Sequence, residues 1–329
     1  MFKCPKCNHK LVEITCPKCN FEVKVNNGVH YFTEDPNLNL KDNGNKYIGY
    51  DEITVDFDPT LIYWGEHYGI YEACANDIVY KRGKEIVILD LGCGLGSASI
   101  PLAKAGAYTI GADISAKMLE YAYKRNGGNL SNLYLCKMNA YELMIEENSI
   151  DIVVENAMLH LVDNCEKVYQ EIYRVLKPNG VLIRFNSHGL SKTEEQKELS
   201  QKCYTALKDI RNYYSDLLKT QGYESKEFNN NYLEIGKQYF KTYEDEEHQP
   251  ILDYTEEFTE LMKFRIHRLE HKAQSGLQHV PNDIHQKVWK QVDKYAKEKY
   301  GEDYKNIPSY SKYKACYDVY DKVIRDLKE

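Results

Sequence analysis

Two residue patterns in this chain have the types and spacing for chemistry. The first is Asp90-Leu91-Gly92-Cys93-Gly94-Leu95-Gly96, a glycine-rich turn fed by the apolar run Ile86-Val87-Ile88-Leu89. Glycine removes the side chain where backbone must meet a ligand, and a β-branched run that is apolar on both faces suits a buried parallel strand. The spacing is G-x-G-x-G. A dinucleotide site wants its third glycine one residue later, where this chain has Ser97. Asp113 ends a second apolar run, Tyr108 to Ala112, 17 residues after Gly96, and can take both hydroxyls of a ribose. The two runs together predict a nucleotide-like site.

The second pattern is Cys4-Pro5-Lys6-Cys7 and Cys16-Pro17-Lys18-Cys19, two CxxC turns separated by eight residues. Four thiolates presented in this way suit one tetrahedral zinc, with a pair of disulfides as the competing reading. A segment of this size, residues 1–34, lies below the roughly 40 residues at which a chain can fold on its core alone, so the metal would supply much of the folding free energy. The other six cysteines are scattered singly and Met1-Phe2-Lys3 is no signal peptide, which points to a reducing cytoplasm.

The elements that must position these residues follow from periodicity. Ser97 and Ser99 are candidate caps for a helix after the glycine turn, and Ser115 for a helix carrying Met118, Leu119 and Ala122. Ser149 to Glu155 reads as another buried strand, followed by Asn156-Ala157-Met158-Leu159-His160-Leu161. Val168, Ile172, Val175 and Leu176 recur at helical spacing before Pro178-Asn179-Gly180 and the strand Val181 to Phe185. Strands alternating with helices at these lengths imply an α/β, Rossmann-like, doubly wound parallel sheet with its ligand at the carboxyl ends of the strands.

Over residues 47–228 the chain resembles the class I S-adenosylmethionine (SAM) dependent methyltransferases, in particular their type 11 group. Asp90 to Gly96 looks like that family's first motif, and Gly111-Ala112-Asp113-Ile114-Ser115 like its acidic, ribose-binding second motif. Met138-Asn139-Ala140 stands where the family has Gly-Asp-Ala beside adenine; Asn139 is a departure whose amide oxygen can still accept from the adenine amino group. The resemblance implies a cofactor site of Asp90, Gly92, Cys93, Gly94, Gly96, Asp113, Ile114, Met118, Asn139, Ala140 and Asn156. Leu217 to Phe228 resembles the family's last helix, glycine stop and sixth strand. Phe21 to Phe32, with its Asn27-Gly28-Val29 turn, resembles a family of small zinc-ribbon methyltransferase activators, with Cys4, Cys7, Cys16 and Cys19 as the metal ligands.

Transfer of a sulfonium methyl needs alignment and exclusion of water more than a dedicated nucleophile. His160 is the residue nominated as a general base; the competing reading is a structural Leu-His-Leu loop, and His67 and His188 are weaker candidates of the same kind. Glu155-Asn156-Ala157-Met158 replaces the Asn-Pro-Pro-Tyr pattern by which relatives hold exocyclic DNA amines, so DNA is not expected. Cys136 and Cys165 read as small packing residues.

The chain divides into a zinc ribbon (1–34), a polar linker (35–46) expected to let the ribbon move, a SAM-binding core with N-terminal helices (47–188), and a helical lid and acceptor region carrying the last strands (189–329). Within the core, helices over 59–82 carry Tyr63, Trp64, His67, Tyr68 and Tyr71, which either roof the cofactor or simply pack. In the lid, helices are expected near 255–273 and 282–299, and a closing strand over 317–323. With 43 Lys and Arg against 50 Asp and Glu the net charge is −7, and mean hydropathy is −0.62. No apolar run is long enough to span a bilayer. Acidic balance and the aromatic lid favour a small-molecule acceptor. The ribbon lysines and the basic stretch Lys263, Arg265, His267, Arg268, His271, Lys272 keep open an alternative, an rRNA or tRNA base docked through the ribbon, although a solvated helix face also explains that stretch. A non-catalytic binding module is disfavoured by the intact glycines and Asp113, and oligomeric state has no sequence signal.

Overall fold

The computed structural model describes residues 1–33, 68–225, 231–272, 274–277 and 279–323. The linker 35–46, the aromatics Tyr63, Trp64 and His67, and Phe228 lie outside the described residues.

The centre is a parallel sheet. Strands β3 (Val87–Leu91), β4 (Tyr108–Asp113), β5 (Leu133–Lys137), β6 (Ile150–Glu155) and β7 (Leu176–Gly189) lie in the order β5-β4-β3-β6-β7, all parallel. Helices α1 (Tyr68–Arg82) and α2 (Ser99–Ala105) cover one face, where Ile88, Ile152, Val154, Val181 and Ile183 meet Cys74, Ile78 and Leu102. The opposite face presents Leu89, Leu91, Ile110, Val153 and Leu182 to α4 (Cys165–Val175). Side chains of opposite parity thus serve opposite layers, so both faces of β3 are apolar. Helix α3 (Ala116–Arg125) packs on β5 through Leu119 and Ala122.

The amino-terminal segment is built into this sheet. Its hairpin, β1 (Lys24–Asn26) and β2 (Val29–Tyr31), turns at Asn27 and Gly28, both with positive φ (49° and 75°), as a two-residue primed turn requires. Strand β2 then pairs parallel with β5, Val29 opposite Leu135, and extends the sheet. Leu11, Val23 and Phe32 enter the core beside Leu143, Met144 and Ile145, and the rings of Phe2 and Phe32 lie 5.1 Å apart. The expectation of a ribbon that moves against the enzyme is therefore corrected: shared strand hydrogen bonds and shared apolar burial fix it.

At the other edge, β10 (Pro308–Lys322) runs antiparallel to β7 from Tyr313–Gly189 to Asp321–Val181, and also pairs β8 (Phe240–Lys241). Its first half pairs β9 (Ile251–Leu261), beginning at Pro308–Leu261. Three sequence expectations change here. Residues 223–225 are not strand, because the place beside β7 is filled by β10. The closing strand begins at Pro308, nine residues before Tyr317. Residues 255–261 are strand, with alternate residues exposed, and the helix α7 (Met262–Glu270) follows. The lid core joins α5 (Glu194–Thr220), α7 and α8 (Asn282–Tyr300) through Leu207, Ile210, Met262, Ile266, Val288 and Val292. Helix α5 starts in a full capping box of Thr193 and Gln196. A short helix, α6 (Tyr232–Gly236), packs on α4.

Candidate functional site

The carboxyl ends of β3, β4 and β6 converge on the glycine turn. Gly92 (φ 74°) bends the chain out of β3, and a Cβ there would fall 2.5 Å from Met158 Cγ, so only glycine permits this approach. The Gly92 and Cys93 N–H groups donate to Ala112 O at 2.8 and 3.1 Å, which ties the turn to β4. Gly94 faces open space, with nothing within 4 Å of where its Cβ would be. Asp113 braces it: Oδ2 accepts from Gly94 N at 2.9 Å and Oδ1 from Ser115 N at 2.8 Å. Ser115 caps α3 by accepting from Met118 N at 3.2 Å. Ser97 caps nothing. The helix after the turn starts from Ala98 without a side-chain cap, and Ser99 instead donates to the Asp90 carboxylate.

Asp90 is buried, and burial, opposed by Ser99 and assisted by Asp113 and Glu155, pushes its carboxyl up to about 7. Cys93, also buried, is pushed well above the usual thiol range, which makes it a packing residue rather than a nucleophile. Cys136 and Cys165 are buried too, as expected. Asn139 spends its amide oxygen on Tyr141 N (2.9 Å), closing a local turn, so acceptance from an adenine would use the remaining lone pair. Ile114 and Ala140 are half-buried at the ends of β4 and β5.

The loop after β6 is held by Glu155 and Arg184, which the sequence reading did not nominate, and by Asn156, which it did. Glu155, buried at the end of an otherwise apolar strand, accepts from Met158 N and Leu159 N at 2.9 and 3.0 Å and pairs with Arg184 of β7 at 2.9 Å. A carboxylate closing an apolar strand, with an arginine on the neighbouring strand, was the available signal. Asn156 Oδ1 accepts from Phe185 N at 2.9 Å, while its Nδ2 is buried with no hydrogen-bond partner among the described residues. Ala157 is left-handed (φ 58°), a conformation uncommon outside glycine. His160 follows, half-buried in the single turn Leu159–Leu161. Burial lowers its pKa from 6.5; Glu155 opposes this and Arg268 of α7 adds to it, so the imidazole is neutral near pH 7. His188 lies exposed on β7 and His67 falls outside the described residues.

A second centre is formed by Cys4, Cys7, Cys16 and Cys19, whose sulfurs all lie within 4.8 Å of one another. Sγ separations of 3.5 Å (Cys7–Cys16, Cys7–Cys19) and 3.6 Å (Cys4–Cys19) match the edges of a tetrahedron with metal–sulfur bonds of about 2.3 Å. Two like knuckles present them: Asn8 N donates to Cys4 O and Asn20 N to Cys16 O (2.8 and 2.9 Å), each asparagine left-handed. The repeated Cys-Pro-Lys-Cys-Asn at 4–8 and 16–20 is the sequence trace of that symmetry.

Residues 89–184 match the family described as a methyltransferase domain. That segment spans the glycine turn, Asp113, Asn139 and the β6 loop. Among curated proteins, the chain is 41% identical over 99 residues to a demethylmenaquinone methyltransferase of Oceanobacillus iheyensis, covering 29% of this chain and 42% of that one. It is 33% identical over 102 residues to the phosphoethanolamine N-methyltransferase of Plasmodium falciparum, covering 29% and 37%. The chain therefore spans about two fifths of the length of these relatives. Among solved structures, the YcgJ protein of Bacillus subtilis aligns over 77% of this chain and 99% of its own, at 14% identity and a TM-score of 0.41. No helix among the described residues is long and apolar enough to cross a membrane.

Proposed function

We propose that the protein is a SAM-dependent methyltransferase acting on a small-molecule acceptor, with a structural zinc in its amino-terminal ribbon. The observation that carries the reading is the junction of Gly94 and Asp113: an open backbone face at the carboxyl edge of β3, braced by a carboxylate at the end of β4. On this reading the ribose hydroxyls meet Asp113 and the turn Gly92 to Gly96 lies against the amino-acid portion. Ile114 and Met118 line the adenine side with Asn139 and Ala140. Asn156 supports it further, since its buried Nδ2 lacks a partner and a ligand oxygen can supply one.

The cofactor would supply a sulfonium methyl. Transfer of that methyl to the acceptor's nucleophile would leave the electron pair of the broken sulfur–carbon bond on sulfur. The protein's part is to align the acceptor and exclude water. Neutral His160 stands at the β6 end to take the acceptor's proton. Relatives named for methylating demethylmenaquinone, phosphoethanolamine and sterols favour a small acceptor. Those relatives give an RNA base no support.

Calorimetric titration with S-adenosylhomocysteine tests the cofactor site. Loss of a charged acceptor of hydroxyl groups costs roughly 1.5–3 kcal/mol, so Asp113→Ala should bind about ten- to a hundredfold more weakly. Native affinity in that variant would reject the ribose assignment.

A further inference from the structure

Helix α7 buries Met262, Ile266 and Leu269 in the lid core. Its last turn brings His267, Glu270 and the cap residue His271 to one face, because positions three and four apart on a helix are neighbours. The two imidazoles lie 4.1 Å apart between ring centroids, tilted by 42°. One ligating atom from each histidine and one carboxylate oxygen of Glu270 all stand within 4.8 Å of one another. His267 and Glu270 are half-buried and His271 is exposed, so solvent reaches this face.

Glu270 is oriented from two sides. Lys305 donates to both of its carboxylate oxygens at 2.7 and 2.8 Å, and its backbone O accepts from His285 Nε2 of α8 at 2.9 Å. Outer partners of this kind are what fix the ligands of a metal. A plain Lys–Glu ion pair accounts for Glu270, but not for the convergence of both imidazoles on its carboxylate. Two imidazoles and one carboxylate suit divalent zinc, cobalt or nickel, whereas calcium and magnesium take oxygen ligands. On a tetrahedral ion with bonds of about 2.0–2.1 Å, neighbouring ligand atoms stand about 3.3 Å apart. Side-chain rotation therefore brings the three onto one ion without moving the helix. The carboxyl end of α7, where backbone carbonyls gather partial negative charge, also favours a cation.

We propose that His267, Glu270 and His271 form a metal site, separate from the ribbon cysteines, for a divalent transition ion of the zinc, cobalt and nickel class. Three protein ligands leave a coordination place open to water. Because Lys305 shares the carboxylate, the ion ties the end of α7 to the turn Tyr304–Asn306 and so fastens two parts of the lid. The site depends neither on the methyltransferase reading nor on the metal of the ribbon.

The test is titration of the full-length protein, purified with zinc, with cobalt(II) chloride, followed by visible absorption and calorimetry. A single equivalent should bind at micromolar concentration, giving d–d bands without the thiolate-to-cobalt charge-transfer band that exchange into the ribbon would add. His267→Gln and His271→Gln should each weaken this binding about tenfold or more, and zinc should displace the cobalt. Because His271 is exposed, its variant keeps the fold if His267→Gln does not. Glu270→Gln should weaken binding as well, whereas Lys305→Gln, which breaks the same ion pair but keeps the carboxylate, should not. Added zinc should raise the melting temperature of the native protein and not that of His271→Gln. No cobalt bound outside the ribbon, or native affinity in both histidine variants, overturns the proposal. Equal loss in Glu270→Gln and Lys305→Gln removes Glu270 from the ligand set and overturns the three-residue site.

Discussion

Asp90 shows how a single buried carboxylate sets a condition on the whole site. Its folded pKa of about 7 stands above the unfolded value of 3.8, so the native state holds the proton more tightly. The sign follows: the contribution of Asp90 to stability is complete below pH 4 and is lost as pH rises to 7, by on the order of 4 kcal/mol. Asp90→Asn should therefore raise the melting temperature above pH 7 and leave it nearly unchanged at pH 4, where the native residue is already neutral. Equal stabilisation at both pH values would refute this. At this scale the sequence was legible wherever backbone need dictates residue type, as at Gly92, Gly94 and the capping Ser115. It was less so where one side chain had several possible partners. Ser99 left the cap to bond Asp90, Asn139 turned its oxygen to Tyr141, and Glu155 and Arg268 acquired their roles from strands and helices distant in sequence.

Among the elements, the ribbon hairpin has the largest effect on its surroundings. Strand β2 pairs with β5, Phe32 N donates to Lys137 O (3.0 Å), and Asn139 follows two residues later. The backbone that leads to the proposed adenine contact is thus held by the four-cysteine segment. With the proposed zinc in place, its removal by a chelator, or Cys16→Ser, should lower the melting temperature of the whole parallel sheet in one transition and weaken S-adenosylhomocysteine binding. Scanning calorimetry with that transition unmoved would contradict this. The existence of the hairpin was readable from Asn27-Gly28, but its docking was not, because parallel pairing between residues 29–31 and 135–137 leaves no local mark. The same limit explains β9. Residues 255–261 alternate Thr, Glu, Phe and Leu, and only the partner β10 decides strand over helix there.

At the scale of the molecule, the lid has its own core and its own response to acid. Within it, His285 Nε2 faces Glu270 O at 2.9 Å and must donate, so Nδ1 accepts from Tyr214 OH at 2.8 Å. Burial chiefly holds its pKa below 6.5; Lys272 and His271 act the same way against the Glu270 carbonyl. A histidine kept neutral in the folded state loses stability as pH falls below 6.5, because the unfolded chain then takes up the proton first. Fluorescence of Trp289, on α8, should report a lid that melts earlier at pH 5 than at pH 7, and His285→Gln should flatten that slope; an unchanged slope would rule His285 out as its source.

The placement of β10 also dictates an order of assembly. Val319 pairs with Ile183, so the chain between them, which holds the lid helices, forms one long loop that must close before the sheet is complete. Closure entropy grows only with the logarithm of loop length, but the search for such a distant partner slows folding. Until β10 arrives, β7 presents an unpaired apolar edge, the kind that recruits strands from other chains. A lid that collapses early on its own core shortens the loop and brings Pro308 back towards Gly189. The helical segment between β7 and β10 would in this sense also be the folding aid that lets the sheet close.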